Sequence, residues 1–105
     1  MIPHKTVVDL IDKHALLEKE LSSVAVDKKT FADKSKEYSD LNEIIGDAKK
    51  YISFKSEKSE LQKIIDDKGS DAELKKMAEI ELSDLVSVNE RNEKKIKLFL
   101  LPKDE

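Results

Sequence analysis

With 105 residues, the chain has room for one domain and a modest core, and its 20 Lys and Arg against 23 Asp and Glu leave a formal net charge of −3. Charged residues make up 41% of it, aromatics 5%, and cysteine is absent. Interspersed signs exclude a broad electrostatic footprint for nucleic acid, and the missing thiols exclude a disulfide framework or a thiolate metal site and fit a reducing cytoplasm. Such compositions make long helices with solvated faces or stay disordered, and aliphatic residues at regular spacing favour helix here.

The first stretch, MIPHKTVVDLIDKHALLEKE, is interrupted by charges every few residues. It is neither a signal peptide nor a membrane span, so a soluble, unexported chain is expected. Helix one is predicted to begin near Pro3, a residue tolerated in a first turn, and to run to about residue 24. Its seam reads Val7, Leu10, His14, Leu17, Leu21 and Val24 at alternating spacings of three and four, with Ile11 and Leu16 widening the apolar face. His14 reads as a structural residue at the seam edge, its body hidden and its tip wet. A ligand or base would need company, and His4 is the only other histidine.

After the short apolar break Val24-Ala25-Val26, either Asp27 or Thr30 is placed to cap helix two, Thr30 with Asp33 forming a weak capping box. No proline follows until Pro102, so helix two is predicted over about 28–67, a length of about 60 Å at 1.5 Å per residue. A helix that long needs partners along its extent. Phe31, Tyr38, Ile45 and Ile52, with Leu41 and Ala48 between them, form one stripe, and Ile44, Tyr51, Phe54, Leu61 and Ile65 form a second, rotated round the helix. Two displaced stripes imply two neighbours. Helix one should cover the first half of helix two, and helix three should fold back antiparallel along most of its length. Gly46 in mid-helix serves close packing or a bend, or is a tolerated surface glycine.

Helix three is predicted over about 71–101. Gly69 would end helix two in a left-handed turn, Ser70 with Glu73 would make a capping box, and Pro102 would mark the stop. Leu74, Ala78, Leu82, Leu85, Asn89, Asn92, Ile96 and Phe99 form its heptad seam. The expected fold is thus all-α: an elongated antiparallel three-helix bundle with coiled-coil character and a long middle helix. All of residues 1–105 would form one helical domain, with 102–105 starting a linker.

Constellations for chemistry are nearly absent. Asp66, Asp67, Asp71 and Glu73 cluster at the second turn, where they read as solvated turn residues and favourable charge at a helix start rather than a cation site. Lys94, Lys95, Lys97 and Lys103 read as dipole complementation and a wet face rather than a phosphate contact. Asn89 and Asn92 either fix helix register or mark where the seam leaves the bundle. No Gly-rich phosphate loop, metal-ligand spacing or histidine beside a nucleophile occurs. No catalytic, cofactor-binding or metal-binding residue is assigned.

The segment MAEIELSDLVSVNERNEKKIKLFLLPKDE, residues 77–105, is similar to the end of the N-terminal domain of the release factor 1 family, the bacterial class I peptide-chain release factors for UAA and UAG. The matching positions are Met77, Ala78 and Glu79 at the start of the segment and Leu100, Leu101, Pro102, Lys103 and Asp104 at its end. Upstream, Ser35, Lys36, Glu37, Tyr38 and Leu41 resemble the family's Ser-Lys-Glu-Tyr-x-x-Leu core. The resemblance spans essentially the whole chain, including the acidic turn before Ala72. Its most specific part is the Leu-Leu-Pro-Lys-Asp ending, which the related factor for UGA typically lacks.

That resemblance implies an N-terminal domain serving stop-codon-dependent termination on the ribosome and reaching toward the stalk base in the GTPase-associated region. It also implies a link to the partner GTPase release factor, in the cytoplasm and without a membrane. In the family, the glycine-glycine-glutamine loop for peptidyl-tRNA hydrolysis and the stop-codon-reading tripeptide lie beyond this point. Neither occurs here, so the fragment is expected to be catalytically inert alone and needs no cofactor. A free-standing coiled-coil adaptor, dimerising through the same seams, is the alternative. A face left exposed by missing domains would produce weak dimers of the fragment.

Overall fold

The computed structural model describes residues 2–23 and 27–101. Three helices follow one another: α1 over His4–Leu21, α2 over Lys28–Asp66 and α3 over Ala72–Leu100. The 39 residues of α2 make a rod of about 58 Å at 1.5 Å per residue, which accounts for the 61 Å long axis of the molecule. The Cα radius of gyration is 18.6 Å, against about 13 Å for a compact domain of this length. The chain is an elongated all-α bundle because its apolar residues are laid along rods rather than gathered round one centre.

Both flanking helices pack on α2, and no Cα of α1 comes within 8 Å of one of α3. Contacts fix both directions as antiparallel to α2. At one end of α1 the Ile2 amide donates to the Tyr51 hydroxyl at 3.3 Å; toward the other, Lys13 pairs with Glu37 and Glu20 with Lys34. On the other side Glu81 and Leu85 of α3 line a groove with Phe54 and Leu61 of α2, and Lys95 of α3 meets Asp47 of α2 at 3.8 Å. These exposed or half-buried surface pairs contribute little to stability individually, but they agree on one register. α1 therefore covers the first half of α2, while α3 starts beside its far end and reaches back to about Glu43.

All three helices overlap only along the middle of α2, and the core lies there. Val7 and Leu17 of α1, Leu41, Ile44 and Ala48 of α2 and Ile96 of α3 form one buried cluster with Ile2. Val7, Ala48 and Ile96 lose all solvent exposure. Sealing an aliphatic side chain in this way stabilises by roughly 1.5–3 kcal/mol. Away from the overlap, α2 has one neighbour at a time, and the outer seam positions loosen. Phe31 and Leu74, the first members of their predicted stripes, are 47% and 44% exposed. Leu16, expected to widen the apolar face of α1, points out at 55%.

Helix ends correct several expectations. α1 stops at Leu21, with Ser22 hydrogen-bonded back to Glu18, so the predicted continuation is not helical at Ser22 and Ser23; Val24 lies outside the described residues, as do Pro102 and Lys103. At α2, Asp27 and not Thr30 is the cap, its Oδ1 accepting from the Thr30 amide at 2.7 Å. At α3 the cap is Asp71, whose Oδ1 accepts from the Leu74 amide at 2.7 Å, so the predicted Ser70–Glu73 box does not form. Ser70 is instead held in the turn, its amide donating to the Asp67 carbonyl at 3.2 Å. Nor does Gly69 adopt a left-handed conformation: its amide donates to Asp67 Oδ1 at 2.8 Å, and the carboxylate closes the turn that a positive φ would otherwise make. α3 ends at Leu100, with Leu101 extended, as expected of a residue that precedes proline.

Candidate functional site

The buried polar residues of the bundle, His14 and Asn92, sit among its core side chains. His14 is placed by α1 with Val7 and Leu17 on its buried face. Its ring stacks on Tyr38 of α2 at a centroid distance of 4.7 Å, and its Nε2 donates to Asn42 Oδ1 at 2.6 Å. Those contacts are all structural, and among the described residues no acidic group pairs with the ring. On α3, Asn92 is buried one turn before Ile96. The seam therefore continues inward past it, which removes the alternative that the asparagines mark its exit. Asn89, half-buried a turn earlier, has a solvent-excluded Oδ1 with no hydrogen-bond partner among the described residues.

The two asparagines line a groove of about 390 Å³ between α2 and α3, together with Lys50, Phe54, Glu57 and Leu85. Its walls mix single charges with apolar side chains and bring no nucleophile beside a base. Among the described residues, no group of three or more His, Asp or Glu gathers to hold a metal ion.

The clustered charges are occupied locally. Asp66 accepts from Gln62 at 3.1 Å, Asp67 closes the Gly69 turn and Asp71 caps α3. A helix start with free N–H groups is where such carboxylates belong. In the lysine group, Lys95 faces Asp47 and Lys97 pairs with Glu93 at 3.0 Å. The hydrogen bond from Lys97 holds the Glu93 carboxyl below its ordinary range, and Glu93 in turn raises the Lys97 ammonium. Lysines matched by the protein's own carboxylates leave little charge for a phosphate backbone. Similarly, the Thr30 amide lowers the Asp27 carboxyl. Gly46 has open space where a side chain would begin, so neither close packing nor a neighbour explains it.

What the arrangement offers is surface on a rigid rod. Large apolar side chains remain outside: Met77 and Ile80 on the outer part of α3, and Leu98 and Leu101 where α3 ends. Sequence periodicity assigned none of these to a seam, and their exposure is visible only once the helices are packed. Among the described residues, no helix is long and apolar enough to cross a membrane.

Comparison with known proteins gives a consistent set of relatives. The pattern of the PCRF domain family matches residues 10–105. A peptide chain release factor 1 of Pelagibacter ubique is 67% identical over 105 residues, covering 100% of this chain and 29% of that protein. The peptide chain release factor 1 of Orientia tsutsugamushi (strain Boryong) is 37% identical over 95 residues, 90% of this chain and 26% of the relative. That of Magnetococcus marinus is 33% identical over 97 residues, 90% and 27% of the two chains. The chain thus spans less than a third of the length of these curated relatives. No solved structure matches it significantly.

Proposed function

This chain belongs to the PCRF domain family, and on that premise we propose that it is the N-terminal helical domain of a bacterial release factor 1, serving stop-codon-dependent termination at UAA and UAG in the cytoplasm. The observation that carries this reading is the 67% identity, across the full chain, to a peptide chain release factor 1. The domain acts as a rod that reaches the stalk base in the GTPase-associated region of the ribosome and engages the partner GTPase release factor. Its 61 Å length and its self-paired charges support a protein-facing spacer over a deep RNA-binding surface. By itself it is catalytically inert and needs no cofactor, since its 105 residues carry no Gly-Gly-Gln and no constellation that replaces it.

The test is a chimera. This chain replaces the corresponding region of the Pelagibacter ubique factor, and peptide release is measured on ribosomes stalled at UAA, UAG and UGA. Release at UAA and UAG, with none from the 105-residue chain alone, is the expected result. A folded chimera that fails to release at any codon overturns the reading.

A self-associating coiled-coil adaptor is the second reading, favoured by the exposed Leu74, Met77 and Ile80 of α3. A concentration-dependent dimer in sedimentation velocity, abolished by Met77→Asp, would support it.

A further inference from the structure

The two helices that flank α2 leave a slot between them. No Cα of α1 comes within 8 Å of one of α3, yet both lie against the same stretch of α2. Between Leu10 and Lys13 on one wall and Leu98 and Leu101 on the other runs a groove of about 340 Å³, floored by Leu41. Leu98 stands at its lip with 69% of its surface exposed, and Leu101 with 59%. A second recess, bounded by Ile44, continues on the far side of Leu98 and Phe99. Leu98 is thus an exposed apolar ridge between two recesses, and a ridge of this kind on a bundle is the imprint a further helix would fill.

Charge selects the occupant. The floor carries Glu37, Asp40 and Glu43 from one face of α2. Lys13 answers Glu37, whereas neither Asp40 nor Glu43 has an ion pair or hydrogen bond among the described residues. Two unanswered carboxylates beside an apolar ridge repel a phosphate backbone or an anionic lipid surface and attract Lys and Arg. We propose that the groove between α1 and α3 docks a basic amphipathic helix of a protein partner, its apolar face over Leu98 and Leu101 and its cationic flank along Asp40 and Glu43. This mode, an amphipathic helix laid into a groove, uses apolar anchors about one turn apart on the incoming helix. The inference goes beyond the release-factor reading and does not depend on it.

The probe is a designed helical peptide with Leu on one face and Lys and Arg on the other, titrated into the isotopically labelled 105-residue chain. Amide shifts should move within residues 37–44 and 98–101. Affinity should fall about tenfold or more for Leu98→Asp and for the pair Asp40→Lys with Glu43→Lys, as loss of a central anchor does. Glu57→Lys with Glu60→Lys, on the distant half of α2, should leave it unchanged. Leu98 is exposed, so its substitution is not expected to unfold the bundle; circular dichroism checks each variant. Three outcomes overturn the proposal: shifts mapping elsewhere, equal binding by all variants, or equal binding by a Leu/Glu peptide. So does a dimer of the chain itself that Leu98→Asp abolishes, since the groove would then serve a second copy.

Discussion

His14 of α1 and Tyr38 of α2 stack with their rings 23° from parallel and their centroids 4.7 Å apart. The imidazole is 9% exposed and spends its Nε2 on Asn42. It is a polar joint between α1 and α2, set between the core residues Val7 and Leu17 of α1. His14→Ala removes the stack, the hydrogen bond and the filled volume at once, and should cost about 2 kcal/mol. Asn42→Ala removes only the bond and should cost about 1 kcal/mol. Urea unfolding of the two single variants and the double variant measures this, and a neutral His14→Ala would show that the joint carries no load.

The caps of α3 separate two candidate residues that lie side by side. Asp71→Ala should destabilise by about 1 kcal/mol, because the Leu74 amide loses its acceptor. Ser70→Ala should change stability by no more than about 0.5 kcal/mol. Thermal melts of both variants decide it, and the reverse ranking would restore the Ser70 box.

Gly46 offers a stabilising substitution. A methyl group there meets nothing within 4 Å, and the backbone is ordinary helix. Gly46→Ala should therefore stabilise by roughly 0.5–1 kcal/mol, through the smaller entropy of the unfolded chain. A drop in melting temperature would reveal a required bend that the helix does not display.

Core and surface leucine-type residues should respond oppositely to truncation. Ile96, with no exposed surface, should cost about 2–5 kcal/mol on conversion to Ala. Leu16→Ala, at an exposed site, should stay within about 0.5 kcal/mol. Denaturant midpoints compared at a common slope measure both, and similar losses at the two sites would place Leu16 in a core it does not occupy.

The pH dependence follows from three groups. The folded-state pKa values of Asp27 and Glu93 lie below their ordinary 3.8 and 4.5, so their stabilisation is complete above those values and is lost as pH falls through the lowered folded values. Lys97 lies above its ordinary 10.5, so its contribution is complete below 10.5 and is lost as pH rises through the raised value. Melting temperature should be flat between these limits as far as the three groups are concerned. Asp27→Asn should reduce the acid-side loss, and an unchanged acid limb in that variant would contradict the assignment.

Much of this architecture was legible without coordinates. Two displaced apolar stripes on a proline-free stretch demand a long helix with two neighbours, and Asn89, Asn92 and Ile96 were placed on the right seam by spacing alone. The turn chemistry was less legible. Ser70, Asp71 and Asp67 can all accept from a backbone amide, and which of them does so depends on how the chain enters α3. No residue pattern distinguishes a carboxylate closing the turn at Gly69 from a glycine closing it by its own conformation.

The order of apolar and charged residues determined that this protein is helical, elongated and paired along seams, because periodicity is local and each helix must bury its own stripe. What tertiary structure decided is how far the rods overlap. Periodic stripes specify which face is buried but not where along α2 each partner begins and ends. That offset sets much that is distinctive here: a core confined to the middle of α2, Phe31 and Leu74 left outside it, and an acidic slot between α1 and α3 with Leu98 at its lip.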